Sequence, residues 1–83
     1  MTYAVRWSRQ AEKFIAKLPV HIAKRIVHRI NEAKNKPFHY LEHYEGAEFC
    51  KLRIGDYRLL VEVDIRNRIL AVRVVGHRRN VYK

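Results

Sequence analysis

The sequence predicts an α+β fold in the order β-α-α-β-β-β, a helical hairpin packed on one face of a largely antiparallel sheet. Three observations lead there. Tyr3, Val5 and Trp7 alternate with Thr2, Ala4 and Arg6, the period of a strand. Two stretches then carry apolar residues at helical spacing, and the chain from Glu48 onward reverts to period two, broken by two turn signals. With 83 residues there is room for one core only, so residues 1–83 form a single domain. A chain this short buries only about two-thirds of the surface that it exposes when unfolded, which leaves a thin margin of stability.

Each element has a local cause. Ser8 is a helix cap, because its hydroxyl can accept from a free amide of the first turn. Ala11, Phe14, Ile15 and Leu18 follow at i, i+3, i+4, i+7 and form one apolar stripe. Pro19 ends that helix and suits the start of the next. In the second helix Ile22, Ala23, Ile26, Val27, Ile30 and Ala33 share a face, with Lys24, Arg25, His28, Arg29 and Glu32 toward the other. Residues 35–45 contain Pro37 and no sustained period, and read as a loop. Strands are expected near 48–54, 57–64 and 69–75, with turns at Gly55-Asp56 and Arg66-Asn67-Arg68. Gly76 is read as a sharp bend after the last strand.

The balance of charge narrows the function. Eighteen Lys and Arg against eight Asp and Glu leave a formal charge of +10. Such a field draws polyanions, above all nucleic acid, and is unlike an enzyme acting on small metabolites. Residues 1–48 carry nine basic and five acidic groups, residues 49–83 nine and three, so the C-terminal part is the anion-binding side. Cys50 is the only cysteine, which excludes an internal disulfide and fits a buried filler in a reducing cytoplasm. The longest apolar run, residues 69–72, is too short to cross a bilayer, and no membrane or secretory role is expected.

Strand parity places the cations. If Gly55 and Asp56 are the loop residues, Ile54 faces Tyr57 across the hairpin. Cys50, Leu52, Ile54, Tyr57, Leu59, Val61 and Val63 then share the face that the helices cover. Lys51, Arg53, Arg58, Leu60 and Glu62 share the open face, and three of these are cations. A second basic cluster, His77, Arg78 and Arg79, follows Gly76, with Tyr82 four residues beyond Arg78.

Other chemistries find less support. His21 and His28 are seven apart on one helix, too far to chelate one ion. His39 and His43 beside Glu42 and Glu45 form a weak constellation, so no metal and no cofactor is expected. Glu62 and Asp64 are read as charge partners of nearby arginines. The helix cations Lys13, Lys17, Lys24, Arg25, Arg29, Lys34 and Lys36 are read as a solvated face or as a docking surface for nucleic acid.

Lys51-Leu52-Arg53 with Tyr57-Arg58 on a hairpin, an apolar final strand, and Gly76-His77-Arg78 with Val81-Tyr82 resemble the RelE/ParE toxin superfamily, in particular its RelE branch. The resemblance spans nearly the whole chain. It implies a toxin of a type II toxin-antitoxin system, an endoribonuclease that cuts mRNA codons in the ribosomal A site. The implied mechanism is metal-free attack of a ribose 2′-hydroxyl on the adjacent phosphate. By motif, Lys51, Arg58, Arg78 and Tyr82 carry the catalytic roles, with Arg53, His77 and Arg79 as substrate contacts. Phe49 stands where some members carry a second lysine. The general base is left between Lys51, whose proton the nearby guanidinium groups help to expel, and His77, an imidazole. Arg58 suits bidentate contact with non-bridging phosphate oxygens, Arg78 the charge on the leaving oxygen, and Tyr82 stacking on a base or orienting the ribose hydroxyl.

The implied partners are an acidic, RelB-like antitoxin in a hetero-oligomer, the mRNA, and ribosomal RNA, all in the cytoplasm. Two other readings stand beside this one. A ParE-like protein would poison DNA gyrase by binding, and a catalytically inactive module would bind only RNA or a partner.

Overall fold

The computed structural model describes residues 2–43 and 49–77. In chain order the elements are β1 (Ala4–Trp7), α1 (Arg9–Ala16), α2 (Val20–Ala33), α3 (Pro37–Tyr40), β2 (Glu42–His43), β3 (Phe49–Ile54), β4 (Tyr57–Asp64) and β5 (Ile69–His77). The strands form one five-stranded sheet in the order β1-β5-β4-β3-β2. Only β1 runs parallel to its neighbour, with Ala4 opposite Ile69 and Trp7 opposite Val72. The expected α+β class, helices packed against a mainly antiparallel sheet, is what the chain adopts.

The core is built from one face of each layer. Ile26 and Ile30 of α2 are fully buried together with Leu59, Val61, Leu70, Val72 and Val75 of β4 and β5. Removing each such side chain from water contributes about 1.5–3 kcal/mol. Cys50, Leu52 and Ile54 complete that face from β3. Val27 is an exception: it shares the apolar pattern of α2 yet remains 38% exposed.

Ser8 caps α1 as expected, its hydroxyl accepting the Ala11 amide at 3.1 Å. The same hydroxyl donates to the Arg73 carbonyl, and the Ser8 amide donates to Val72 O at 2.9 Å. Where β1 stops, therefore, the first turn of α1 takes over the edge of β5.

Two readings are corrected. Residues 35–45 are not simply a loop. Pro37 opens the one-turn helix α3, and Glu42 and His43 then pair with Lys51 and Cys50 as an edge strand. Elements of four and two residues are too short for periodicity to reveal. Gly76 is not a bend: it lies inside β5, opposite Arg58, and Gly55 is the only described glycine with positive φ.

Candidate nucleic-acid interface

The β3–β4 hairpin has the register that alternation requires. Ile54 pairs with Tyr57, Arg53 with Arg58, Leu52 with Leu59 and Lys51 with Leu60. Leu52, Ile54, Leu59 and Val61 are consequently buried under the helices, and Lys51, Arg53 and Arg58 share the opposite face. Gly55 closes the turn with φ +58°, the positive φ that a two-residue hairpin needs at its first loop position when the second lacks it.

Arg53 directly across from Arg58 is a like-charge cross-strand pair, an arrangement that costs stability in a sheet. These two residues line a cleft of about 270 Å³ together with Lys51, Leu52, Glu42, Arg29 and Tyr40. The last three come from elements outside the hairpin. Arg29 of α2 lies over the Tyr40 ring, 5.5 Å from its centroid, and its Nη1 is 3.4 Å from Glu32 Oε1. Glu42 sits opposite Lys51 in the ladder, its Oε2 3.1 Å from Lys51 Nζ. Among the described residues, four cations and one carboxylate thus line one hollow.

The anticipated site residues divide into three groups. Lys51, Arg53 and Arg58 are brought together. Arg78, Arg79 and Tyr82 lie outside the described residues. His77, expected near the substrate rim, pairs with Tyr57 on the helix-covered side of the sheet instead. Its ring meets that of Tyr57 edge-on at 5.8 Å, and Tyr57 in turn meets Phe14 at 6.3 Å.

The cause is a β-bulge. Val61 pairs with Val72 but Leu60 with Val74, so Arg73 is an extra residue and every later side chain of β5 changes face. The burial of Leu70, Val72 and then Val75 records the same skip.

Sequence reasoning missed Arg29, Tyr40 and Glu42 as cleft residues. Glu42 was weighed only as part of a His/Glu constellation, and among the described residues no group of three metal-binding side chains forms. Of the two strand acids, Glu62 does pair with an arginine, 3.0 Å from Arg73 Nε, whereas Asp64 binds Asn67. Cys50 is buried, and desolvation pushes its thiol above the ordinary range, so it stays protonated and inert. No helix among the described residues is long and apolar enough to cross a membrane.

Helices packed against a five-stranded sheet in this way match the solved RelE toxins, and the chain falls in the RelE branch of the RelE/ParE toxin superfamily. The chain belongs to the family described as ParE toxin of type II toxin-antitoxin system, parDE, which matches residues 5–82. Among solved structures it is similar to the toxin-antitoxin complex RelBE2 of Mycobacterium tuberculosis, at 27% identity and TM-score 0.82, covering 94% of this chain and 100% of that one. The RelB-RelE complex of Methanococcus jannaschii follows at 25% identity and TM-score 0.72, with 94% and 95% covered. The E. coli toxin RelE, at 19% identity, shows the fold alone, with TM-score 0.83 over 99% of this chain and 90% of that one. Among curated proteins no sequence is significantly similar.

Proposed function

We propose that this toxin is an endoribonuclease that cuts mRNA in the ribosomal A site, by attack of a ribose 2′-hydroxyl on the adjacent phosphate without a metal ion. The observation that carries the reading is Arg53 opposite Arg58 beside Lys51 in one cleft. Three cations converging on one cleft form an electrostatic footprint suited to the phosphodiester backbone of RNA.

In this reading Arg58 holds the non-bridging oxygens as a planar fork, and Lys51 adds a point charge as the phosphorane forms. Arg53 and Arg79 contact the flanking RNA backbone. Arg78 meets charge developing on the leaving 5′-oxygen, and Tyr82 stacks on a base or orients the ribose. The cationic lining supplies the charge stabilisation that metal-dependent nucleases draw from divalent ions. His77, on the far face of the sheet, is left out of the cleft and packs against Tyr57.

The partner in the cytoplasm is an acidic RelB-like antitoxin, forming a hetero-oligomer as in the solved RelB-RelE complexes. A net charge of +10 favours such a partner, and binding it stabilises a small core by mass action.

The test is to map RNA ends after adding the toxin to a translating extract. Codon-phased cuts ending in 2′,3′-cyclic phosphates are expected. The name of the matching family keeps a second reading in view, inhibition of DNA gyrase. Intact mRNA together with lost supercoiling would establish that reading instead.

A further inference from the structure

We propose that Glu42 is the proton acceptor for the attacking 2′-hydroxyl, with Lys51 as its ammonium partner. The inference rests on the ribonuclease reading above and names a group which that reading lacks. In-line attack requires a base within reach of the 2′-oxygen. The polar side chains lining the cleft are Arg29, Tyr40, Glu42, Lys51, Arg53 and Arg58. A guanidinium has five donors and no acceptor, an ammonium three donors and none, and a neutral phenol is a poor base. Among the described residues Glu42 is the one carboxylate in this lining, a side chain whose oxygens accept without donating.

Position supports the assignment. The register of β2 on β3 sets Glu42 directly opposite Lys51, and the ion pair of 3.1 Å fixes the carboxylate at the cleft. The Glu42 side chain is 73% exposed against 29% for Lys51, so a bound ribose can reach it. Among the described residues, the charged and titratable groups that line the cleft with Glu42 are Lys51 and Arg53 from β3, Arg58 from β4, Arg29 from α2 and Tyr40 from α3. His43, its neighbour on β2, pairs with Cys50 and so has the opposite parity. His77 is across the sheet.

The step balances. Glu42 takes the proton of the 2′-hydroxyl as the O2′–P bond forms. The P–O5′ bond then breaks, and the departing 5′-oxygen acquires a proton from water. The products are a 2′,3′-cyclic phosphate and a 5′-hydroxyl, and protonated Glu42 returns its proton to solvent. Lys51, whose Nζ lies 3.1 Å from Glu42 Oε2, turns toward the phosphorane as charge builds there.

The test is single-turnover cleavage of a defined mRNA on purified ribosomes by the wild-type toxin, Glu42→Gln and Glu42→Asp, each across pH 4.5–9. Glu42→Gln is expected to slow cleavage by about 100-fold or more, the low end of what a general base contributes. It should also lose the fall in rate on the acid side, with ribosome binding no weaker than wild type. Glu42→Asp should keep part of the rate and the acid limb. Wild-type speed in Glu42→Gln, an unchanged pH profile, or a parallel loss of ribosome binding would each overturn the assignment of the base. If wild-type toxin leaves the RNA uncut, the ribonuclease reading fails first and the base with it.

Discussion

Gln10 grips the main chain of Val75 from both sides: its Nε2 donates to Val75 O, and its Oε1 accepts from Val75 N, each at 3.1 Å. The side chain thereby imitates a strand where β1 has already ended, and it ties α1 to the stretch of β5 beyond the bulge. Replacing Gln10 with Ala leaves two partly buried main-chain groups to solvate as best they can. The expected loss is about 1–2 kcal/mol. It should appear as a lower urea midpoint with an unchanged m-value, and an unaltered midpoint would show that water replaces the amide at no cost.

The two hairpin turns make an internal comparison. Gly55 has φ +58° and Arg68 has φ +56°, but only the first is a glycine. A Cβ at Gly55 would stand 3.6 Å from Arg25 Nη1, ordinary contact, so the penalty of Gly55→Ala is backbone strain alone. That penalty is about 1 kcal/mol. Arg68→Gly should relieve similar strain, partly offset by the greater freedom of glycine in the unfolded chain. Thermal melts of the two variants should therefore move in opposite directions, and a shared direction would refute the strain argument.

What the sequence revealed and what it hid follow from length and parity. The alternation from Cys50 to Val63 is long enough to fix a face, and Gly55-Asp56 fixes the register, so Lys51, Arg53 and Arg58 could be placed together. A two-residue strand has no period, so the approach of Glu42 to Lys51 left no local trace. His77 was misplaced for another reason. Val72, Arg73, Val74 and Val75 offer several registers of similar hydrophobicity, and only pairing with β4 shows that Arg73 is the extra residue. The gap between Leu70, Val72 and Val75 is intelligible once burial is known and ambiguous before.

The β4–β5 turn titrates in a direction that can be checked. Asp64 Oδ1 accepts from the Asn67 amide at 3.0 Å and Oδ2 from Asn67 Nδ2 at 2.8 Å. These bonds hold its carboxyl below the ordinary carboxylate range, the main-chain bond contributing most. A carboxyl depressed on folding lends stability above its unfolded value, near roughly 3.9 for Asp, and loses it as pH falls through the folded value. Asp64→Asn should thus lower the urea midpoint at pH 7, with the gap to wild type closing below about pH 4. A gap constant across that range would mean that the charge of Asp64 is irrelevant to the turn.

Arg58 separates charge from shape. It is half-buried in the middle of the sheet, paired with Arg53 on one side and Gly76 on the other. Gly76, its partner on β5, has no side chain to set beside the guanidinium. Arg58→Lys keeps the positive charge but replaces a rigid fork with a single ammonium. If the cleft merely attracts RNA, this variant binds single-stranded RNA with nearly the wild-type salt dependence and cuts as well. If Arg58 grips a phosphate through two oxygens, cleavage falls by about tenfold or more, in line with the loss of one charge-assisted hydrogen bond of about 1.5–3 kcal/mol, while the salt slope stays close to wild type. Arg58→Ala should reduce that slope by about 0.7, the expectation for one phosphate contact to a single strand. Filter-binding titrations between 50 and 300 mM salt measure the slope, and single-turnover cleavage measures the rate. Equal cleavage by Arg58→Lys and wild type would reduce Arg58 to a general electrostatic contributor and leave the geometry of the cleft without a catalytic part.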